Sequence, residues 1–421
     1  MADSVGPRAG FGNVMRALRI RNYRTYTLGN AIALIGTWIQ RVAVAWLAWE
    51  LTHSGTWLGL CAAADLIPSV IVSPFAGALA DRVDRLRLLK VTQSVGLLQA
   101  ALLCILTYAG IITVEGLFLL TVALGVINAT AQPARLALIP SLVEPPLVPA
   151  AVAINSLVFN GARFIGPAIA GTAIAAGSTA LAFALNALSY VAFLVTVARI
   201  ELKPPPAAPR RRFFLQSWEG YVYALRHPGI GRILALFAVS TVALRGFIEI
   251  LAGFADDVFN RGAPGLAWLM ATIGIGAVLG GISMLRRSGV AGLTARTVDY
   301  TLVMSLAVLA FTATRNYWLA LPCLIVAGYA LSVTGISAQT LVQTAVDPAM
   351  RGRVMGFYGM LFRAGPALGA MLMGMLSNSL GFRAPVAAGA ALCLVSWLWA
   401  QLNRETMRRS LETAPDTAVA D

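Results

Sequence analysis

The stretch GALADRVDRLRLLK, Gly77 to Lys90, interrupts a run of almost unbroken apolar residues. Within ten positions it places Asp81, Arg82, Asp84, Arg85, Arg87 and Lys90. The chain around it is 58% hydrophobic and only 12% charged over 421 residues, where a soluble domain carries about 25% charge. Apolar runs of roughly 20 residues recur on both sides, each long enough to cross a bilayer. The stretch therefore reads as a short polar loop between two membrane-crossing helices of an all-α, polytopic membrane protein.

Working outward from that loop, hydropathy places spans at 23–49, 56–80, 88–110, 115–139, 150–176, 179–199, 231–255, 265–285, 297–314, 317–344, 353–377 and 381–402. Glycine and proline are frequent inside them, as membrane helices tolerate. The first run is too long for a cleavable signal peptide and is followed by many more. The four cysteines, Cys61, Cys104, Cys323 and Cys393, fall inside apolar runs at no metal-like spacing, and read as small buried hydrophobes. With only His53 and His227 there is no histidine-based metal site, and no cofactor is expected.

Basic residues set the orientation. With the N-terminus inside, the inner loops collect the arginines of residues 8–24, Arg82 to Lys90, Arg135 after span 4, the central linker, and Arg286, Arg287, Arg296, Arg351, Arg353, Arg404, Arg408 and Arg409. Only Arg261, Arg315 and Arg383 fall outside. Both termini are thus expected in the cytoplasm. The net charge of +14 is explained by the membrane surface, with no nucleic-acid partner.

The linker KPPPAAPRRR, 203–212, is stiffened by proline and held at the inner leaflet by arginine. FFLQSWEGYVYALR, 213–226, reads as a short interfacial helix. The expected organisation is an N-terminal arm 1–22, a six-helix bundle 23–200, a linker 201–230, a second six-helix bundle 231–402 and a tail 403–421. The halves echo one another: ALIPSLVEP (137–145) matches TLVQTAVDP (340–348), and FIGPAIAG (164–171) matches RAGPALGA (363–370). This is a parallel six-plus-six repeat.

GALADRVDR resembles the loop 2–3 signature of the major facilitator superfamily, through Gly77, Asp81, Arg82 and Arg85. Asp84 stands where many members have glycine. The resemblance implies twelve helices in two bundles related by a pseudo-twofold axis, and a conformational latch in which Asp81 caps a neighbouring helix start near Gly352. A carboxylate at such a helix start contributes roughly 0.3–2 kcal/mol. GARFIGPAIAG resembles the span 5 Gly-Pro motif of family antiporters, through Gly161, Gly166, Pro167 and Gly171. From about residue 16 to 402 the chain is similar to the branch of enterobactin exporters, macrolide-efflux proteins and transmembrane secretion effectors. LRIRNYRTYTLGN (18–30) and GTWIQRVAVAWL (36–47) carry that likeness further. One departure is span 4, which has no basic residue before Arg135, where many proton-coupled drug antiporters carry an early arginine.

Ionisable residues within spans are functional candidates because hydrocarbon penalises them. They are Arg41, Arg163, Arg245, Arg363, Asp65 and Glu249. Arg41 and Asp65 lie at similar depth, about 13 Å from the outer ends of adjacent spans, and are expected either to pair or to pin packing. Arg245 and Glu249, four apart, are expected on one face of span 7. Arg163 and Arg363 either line a net-positive cavity or bond carbonyls near the Gly-Pro bends. Trp38, Trp46, Asn160, Phe164, Asn186 and Phe247 are candidates for stacking and hydrogen bonding. Asp65 and Glu249 are the candidates for carrying a proton.

These readings converge on a secondary exporter of a small, amphipathic, siderophore-like or drug-like solute, which a net-positive cavity would tilt toward an anionic one. It would be a monomer of the bacterial inner membrane, exchanging its substrate for protons. The alternatives are an importer or lipid flippase of the same fold, or a non-transporting sensor or scaffold. A membrane enzyme is disfavoured: the chain has no GxxxxGK[ST], HExxH or GxSxG motif.

Overall fold

A computed structural model describes residues 11–80, 83–176, 178–200, 213–285, 289–348 and 350–412. Asp81 and Arg82 of the latch signature lie outside them, as does the 203–212 linker. Among the described residues, twelve segments are long and apolar enough to cross a membrane. A short helix α1 (Phe11–Arg19) leads into α2 (Arg21–Thr52), α3 (Gly55–Ala80), α4 (Arg85–Tyr108), α5 (Val114–Leu138), α6 (Val148–Ala175) and α7 (Thr179–Ala198). The linker helix α8 (Phe213–Arg226) precedes α9 (Pro228–Ala243). The second half continues through the single turn α10 (Leu251–Gly253), then α11 (Gly262–Leu285), α12 (Leu293–Ala313), α13 (Tyr317–Ala345), α14 (Arg351–Leu380) and α15 (Arg383–Leu402), with α16 (Arg404–Glu412) at the tail.

Polar residues at the helix ends satisfy the amides that a helix start leaves open. Asp84, at the position where glycine is usual in the signature, accepts from Arg87 N at 2.7 Å and caps α4. Thr113, Ser178 and Asn316 cap α5, α7 and α13. His227 caps α9 through Nδ1, which accepts from Gly229 N and Ile230 N, with Pro228 at the first helical position. Gly381 ends α14 at φ +70°, a conformation glycine adopts without strain.

The chain separates into two compact units, Met1–Leu47 with Pro68–Pro209, and Ala48–Ile67 with Arg210–Asp421. The second unit thus takes up the tip of the α2–α3 hairpin along with the C-terminal helices. In the first unit, α4 packs against α5 and α7 around a core that includes Tyr23, Tyr26, Leu89 and Phe193. In the second, α13 packs against α11 and α12, and α9 against α14 and α15. Of the short helices beyond the spans, α8 and α16 dock on this unit. Helix α8 sets Gly220 and Glu219 against Arg353, with an ion pair between the two charged groups. Helix α16 buries Met407 and Leu411, and Glu412 accepts from Gly292 N and Thr294 N at 2.8 and 2.7 Å.

Span 7 departs from a continuous helix. After Ala243 it tightens to a 3-10 helix over Arg245–Ile250, then passes through α10 into a π turn over Phe254–Val258. Gly246 meets the backbone of Gly369 and Ala370 here, where a side chain would not fit. At three residues per turn, residues four apart lie about 120° apart. The expectation that Arg245 and Glu249 share one face is therefore corrected.

Candidate functional site

The first unit gathers two of the intramembrane arginines around one indole. Trp38 and Arg41 stand on α2, and Phe159, Asn160 and Arg163 on α6. The Arg41 guanidinium carbon lies 5.3 Å from the Trp38 ring centroid, and that of Arg163 lies 5.6 Å away. Phe159 meets Trp38 edge-on at 6.2 Å and 70°. The close approach of the two helices depends on Gly166, since a methyl there would overlap the Trp38 side chain and crowd Ile35 O. Gly166 and Pro167 are buried, as is Gly171. Gly161, by contrast, has open space where a side chain would project. Asn160 is exposed and donates to Ser156 O at 2.8 Å.

This arrangement presents a half-buried aromatic face bearing two cations. Guanidinium over indole is attractive by roughly 0.5–2 kcal/mol. A guanidinium's planar fork matches the geometry of a carboxylate or a comparable oxyanion. A solute combining rings with acidic oxygens would meet both kinds of contact in one place.

The remaining arginines have other surroundings. Arg245 is 9% exposed. Its guanidinium lies between the rings of Phe237 and Phe362, at 5.3 and 4.9 Å, and donates to Leu331 O at 3.4 Å. Tyr358 stacks on Phe237 at 4.6 Å and donates to Gly335 O. These contacts make Arg245 a pin between α9, α13 and α14. Arg363 interacts electrostatically with Asp65, within the second unit. Glu249 is half-buried in the 3-10 segment.

Of the latch residues, Gly77 lies in the last turns of α3. Arg85 donates to Ala137 O at 3.1 Å and to Ser141 Oγ at 3.3 Å, fastening the start of α4 to the end of span 4.

Arg135, counted above among the cations that follow span 4, lies inside α5, which runs on past Pro133 to Leu138. Its Nη2 donates to Gln93 Oε1 at 2.8 Å, its Nη1 reaches Asn30 Oδ1 at 3.5 Å, and it stacks on Phe193. Asn186 is also relocated: it is fully buried, donating to Gln40, which in turn donates to Gln99 at 3.0 Å. It belongs to the bundle's interior and not to a cavity wall.

The hairpin tip holds polar contacts that sequence reasoning missed. Trp49 Nε1 donates to Asp256 Oδ2 at 2.9 Å, and the indole meets Phe382 edge-on at 5.4 Å. Asn378 clamps the turn: its Oδ1 accepts from Gly55 N at 2.9 Å, and its Nδ2 donates to Thr56 Oγ1 and Ser54 Oγ at 2.9 and 3.1 Å. Gly59 lets α3 lie directly on the backbone of α14 at Ala370 and Met371. The available signals were Asp256-Asp257 at the end of span 7 and Asn378 near the end of span 11.

Residues 14–417 match the family model described as transmembrane secretion effector. The chain belongs to that family. Over 409 residues it is 26% identical to the enterobactin exporter EntS of Escherichia coli O1:K1, covering 95% of each chain. It is 32% identical to the staphyloferrin A transporter of Staphylococcus aureus over 160 residues, which is 38% of this chain and 40% of that one. Its fold is that of a bacterial homolog of the human lysosomal transporter Spinster, solved inward-facing and unoccupied. The TM-score is 0.72 at 15% identity, covering 94% of this chain and 98% of that chain. A POT family peptide transporter superposes at a TM-score of 0.74 with 11% identity, covering 94% and 99%. The protein is thus a major facilitator transporter, embedded as a multi-pass protein in the inner membrane and acting on a small molecule.

Proposed function

We propose that this transporter exports an acidic, ring-bearing amphipathic solute of siderophore-like type by alternating access, in exchange for protons. The observation that carries the reading is Trp38 flanked by Arg41 and Arg163, with Phe159 on its edge. A cationic aromatic wall favours an anion with rings over a neutral drug of equal size. The enterobactin exporter, matched along 95% of its length, supports the outward direction.

Alternating access requires contacts that form and break in each cycle. The hairpin tip supplies such a set: Trp49–Asp256, the Asn378 clamp, and Asp65 facing Arg363. Protonating Asp65 would cancel its attraction for Arg363, which links proton uptake to release of the tip. Asp81 with Gly77, Arg82 and Arg85 serves as the latch at the opposite end of α3, and both termini face the cytoplasm. The working unit is the monomer.

The test is efflux from inside-loaded proteoliposomes, with and without an imposed proton gradient, comparing acidic aromatic compounds with neutral drugs. Gradient-dependent efflux of the acidic class is expected. Preferential movement of neutral compounds would overturn the substrate class, and indifference to the gradient would overturn the antiport. Asp81→Asn should slow efflux at equal expression, and unchanged efflux would defeat the latch.

A further inference from the structure

Helices α11 and α12 both pack on α13. Near the basic end of α12 a polar cluster lies on α12 and α13. Tyr300 of α12 and Tyr329 of α13 lie with ring centroids 5.6 Å apart and planes tilted by 41°, and Ser283 of α11 is near Tyr329. Arg296, one turn before Tyr300, is near enough to act electrostatically on both phenols. The acid on that turn, Asp299, is taken by Arg404, at 3.1 and 3.3 Å. Arg296 itself has no carboxylate partner among the described residues, and its one recorded bond is a long one, 3.9 Å to Met284 Sδ.

The surroundings are lipid-like. Leu279 of α11 and Val326 of α13 are 49% and 44% exposed beside the cluster. Arg296 and Ser283 lie about 3–5 Å from the ends of their helices, and Tyr300 about 10 Å, at 1.5 Å per residue. That range is the headgroup level and the upper acyl region. An unneutralised guanidinium and hydroxyls facing hydrocarbon are costly unless something polar covers them. We infer that the face formed by Arg296 and Tyr300 of α12 with Tyr329 of α13 binds an anionic phospholipid. Arg296 and the Tyr300 and Tyr329 hydroxyls would hold its phosphate, and the acyl chains would run along Leu279 and Val326.

The test uses the full-length purified protein in neutral detergent, titrated with phosphatidylglycerol, with phosphatidylcholine, or with inorganic phosphate alone, and read by native mass spectrometry and by thermal midpoint. Phosphatidylglycerol should bind and stabilise more than phosphatidylcholine. Arg296→Gln should weaken phosphatidylglycerol about fivefold, the effect of one arginine near an anionic lipid surface, and leave phosphatidylcholine unchanged. Arg21→Gln, an exposed arginine of the other unit, should have no effect. Tyr329→Phe removes one hydroxyl while keeping the ring, and should weaken the anionic lipid even if Arg296→Gln folds poorly. Equal phosphatidylglycerol binding by wild type, Arg296→Gln and Tyr329→Phe would overturn the site. Equal protection by inorganic phosphate would overturn its assignment to a lipid.

Discussion

Release of the α2–α3 tip is measurable through Ser377. This residue is 5% exposed and lies beneath Gly55, with its hydroxyl turned to Gly374 O of its own helix. With the four native cysteines replaced, Ser377→Cys puts a thiol of nearly the same shape where a maleimide reaches it only when the tip lifts. The perturbation is Asp256→Ala. The Trp49–Asp256 bond is 2.9 Å and joins a buried indole to a carboxylate, a class contributing roughly 1.5–3 kcal/mol. Asp256 is only partly buried, so the lower figure applies, about 1.5 kcal/mol. At about 1.4 kcal/mol per decade, the open population and the alkylation rate should rise about tenfold. Asn378→Ala removes the clamp on Gly55 N, Thr56 and Ser54 and should act in the same direction. Asp256→Asn keeps an acceptor and should fall between. The protein is studied in nanodiscs, where reagent reaches both faces. An alkylation rate in Asp256→Ala equal to that of the parent would refute the view that this bond holds the tip.

Gly166→Ala should cost about 1–3 kcal/mol through overpacking and lower both melting temperature and transport, whereas Gly161→Ala, with open space around it, should change neither; equal losses at the two glycines would separate the motif from Trp38. Arg163→Gln should reduce efflux of an acidic aromatic compound several-fold more than that of a neutral one, and equal reductions would assign Arg163 to packing. Burial holds His227 below its ordinary pKa, so the unfolded chain binds the proton more readily. The resulting stability is complete above pH ~6.5 and is lost as pH falls through the lower, folded value. The melting temperature of the wild type should therefore drop between pH 7 and 5 more steeply than that of His227→Asn, which retains a capping side chain; parallel slopes would remove His227 from the account.

The spans were legible because hydrophobic length is a local property: each of the twelve rises from the sequence within a few residues of its ends. The Gly166-Pro167 motif was legible as a close helix approach, since only a small residue permits one. Its partner was not, because nothing near Gly166 in the chain names Trp38. The break in span 7 was hidden for a similar reason. At the break, Gly246 lies against the backbone of Gly369 and Ala370, a contact between residues more than a hundred positions apart. Arg135 was legible as a cation near the end of span 4, but its partners were not: Gln93, Asn30 and Phe193 stand on other helices.

The tip shows why a division by sequence repeat and a division by contact need not agree. By sequence, residues 48–67 belong to the first six spans. By contact they cluster with the second unit, through Trp49–Asp256 across 207 positions and Gly55–Asn378 across 323. Covalently, the same hairpin is continuous with α2, which carries Trp38 and Arg41, and with the Gly77–Arg85 signature at the far end of α3. A ligand drawing Arg41 and Arg163 together over Trp38 therefore acts on the helix whose C-terminal end clusters with the second unit. Under the proposed antiport, a proton on Asp65 would act at the next helix, against Arg363. Substrate and proton would bear on one hairpin from its two arms, so a change at either arm should alter how readily the tip detaches. Loading with an acidic aromatic substrate should thus shift Ser377→Cys alkylation in the parent, and that shift should vanish in Arg163→Gln while the effect of Asp256→Ala persists. If the substrate shift survived in Arg163→Gln, the arginine–indole cluster would not be where the solute acts on the hairpin.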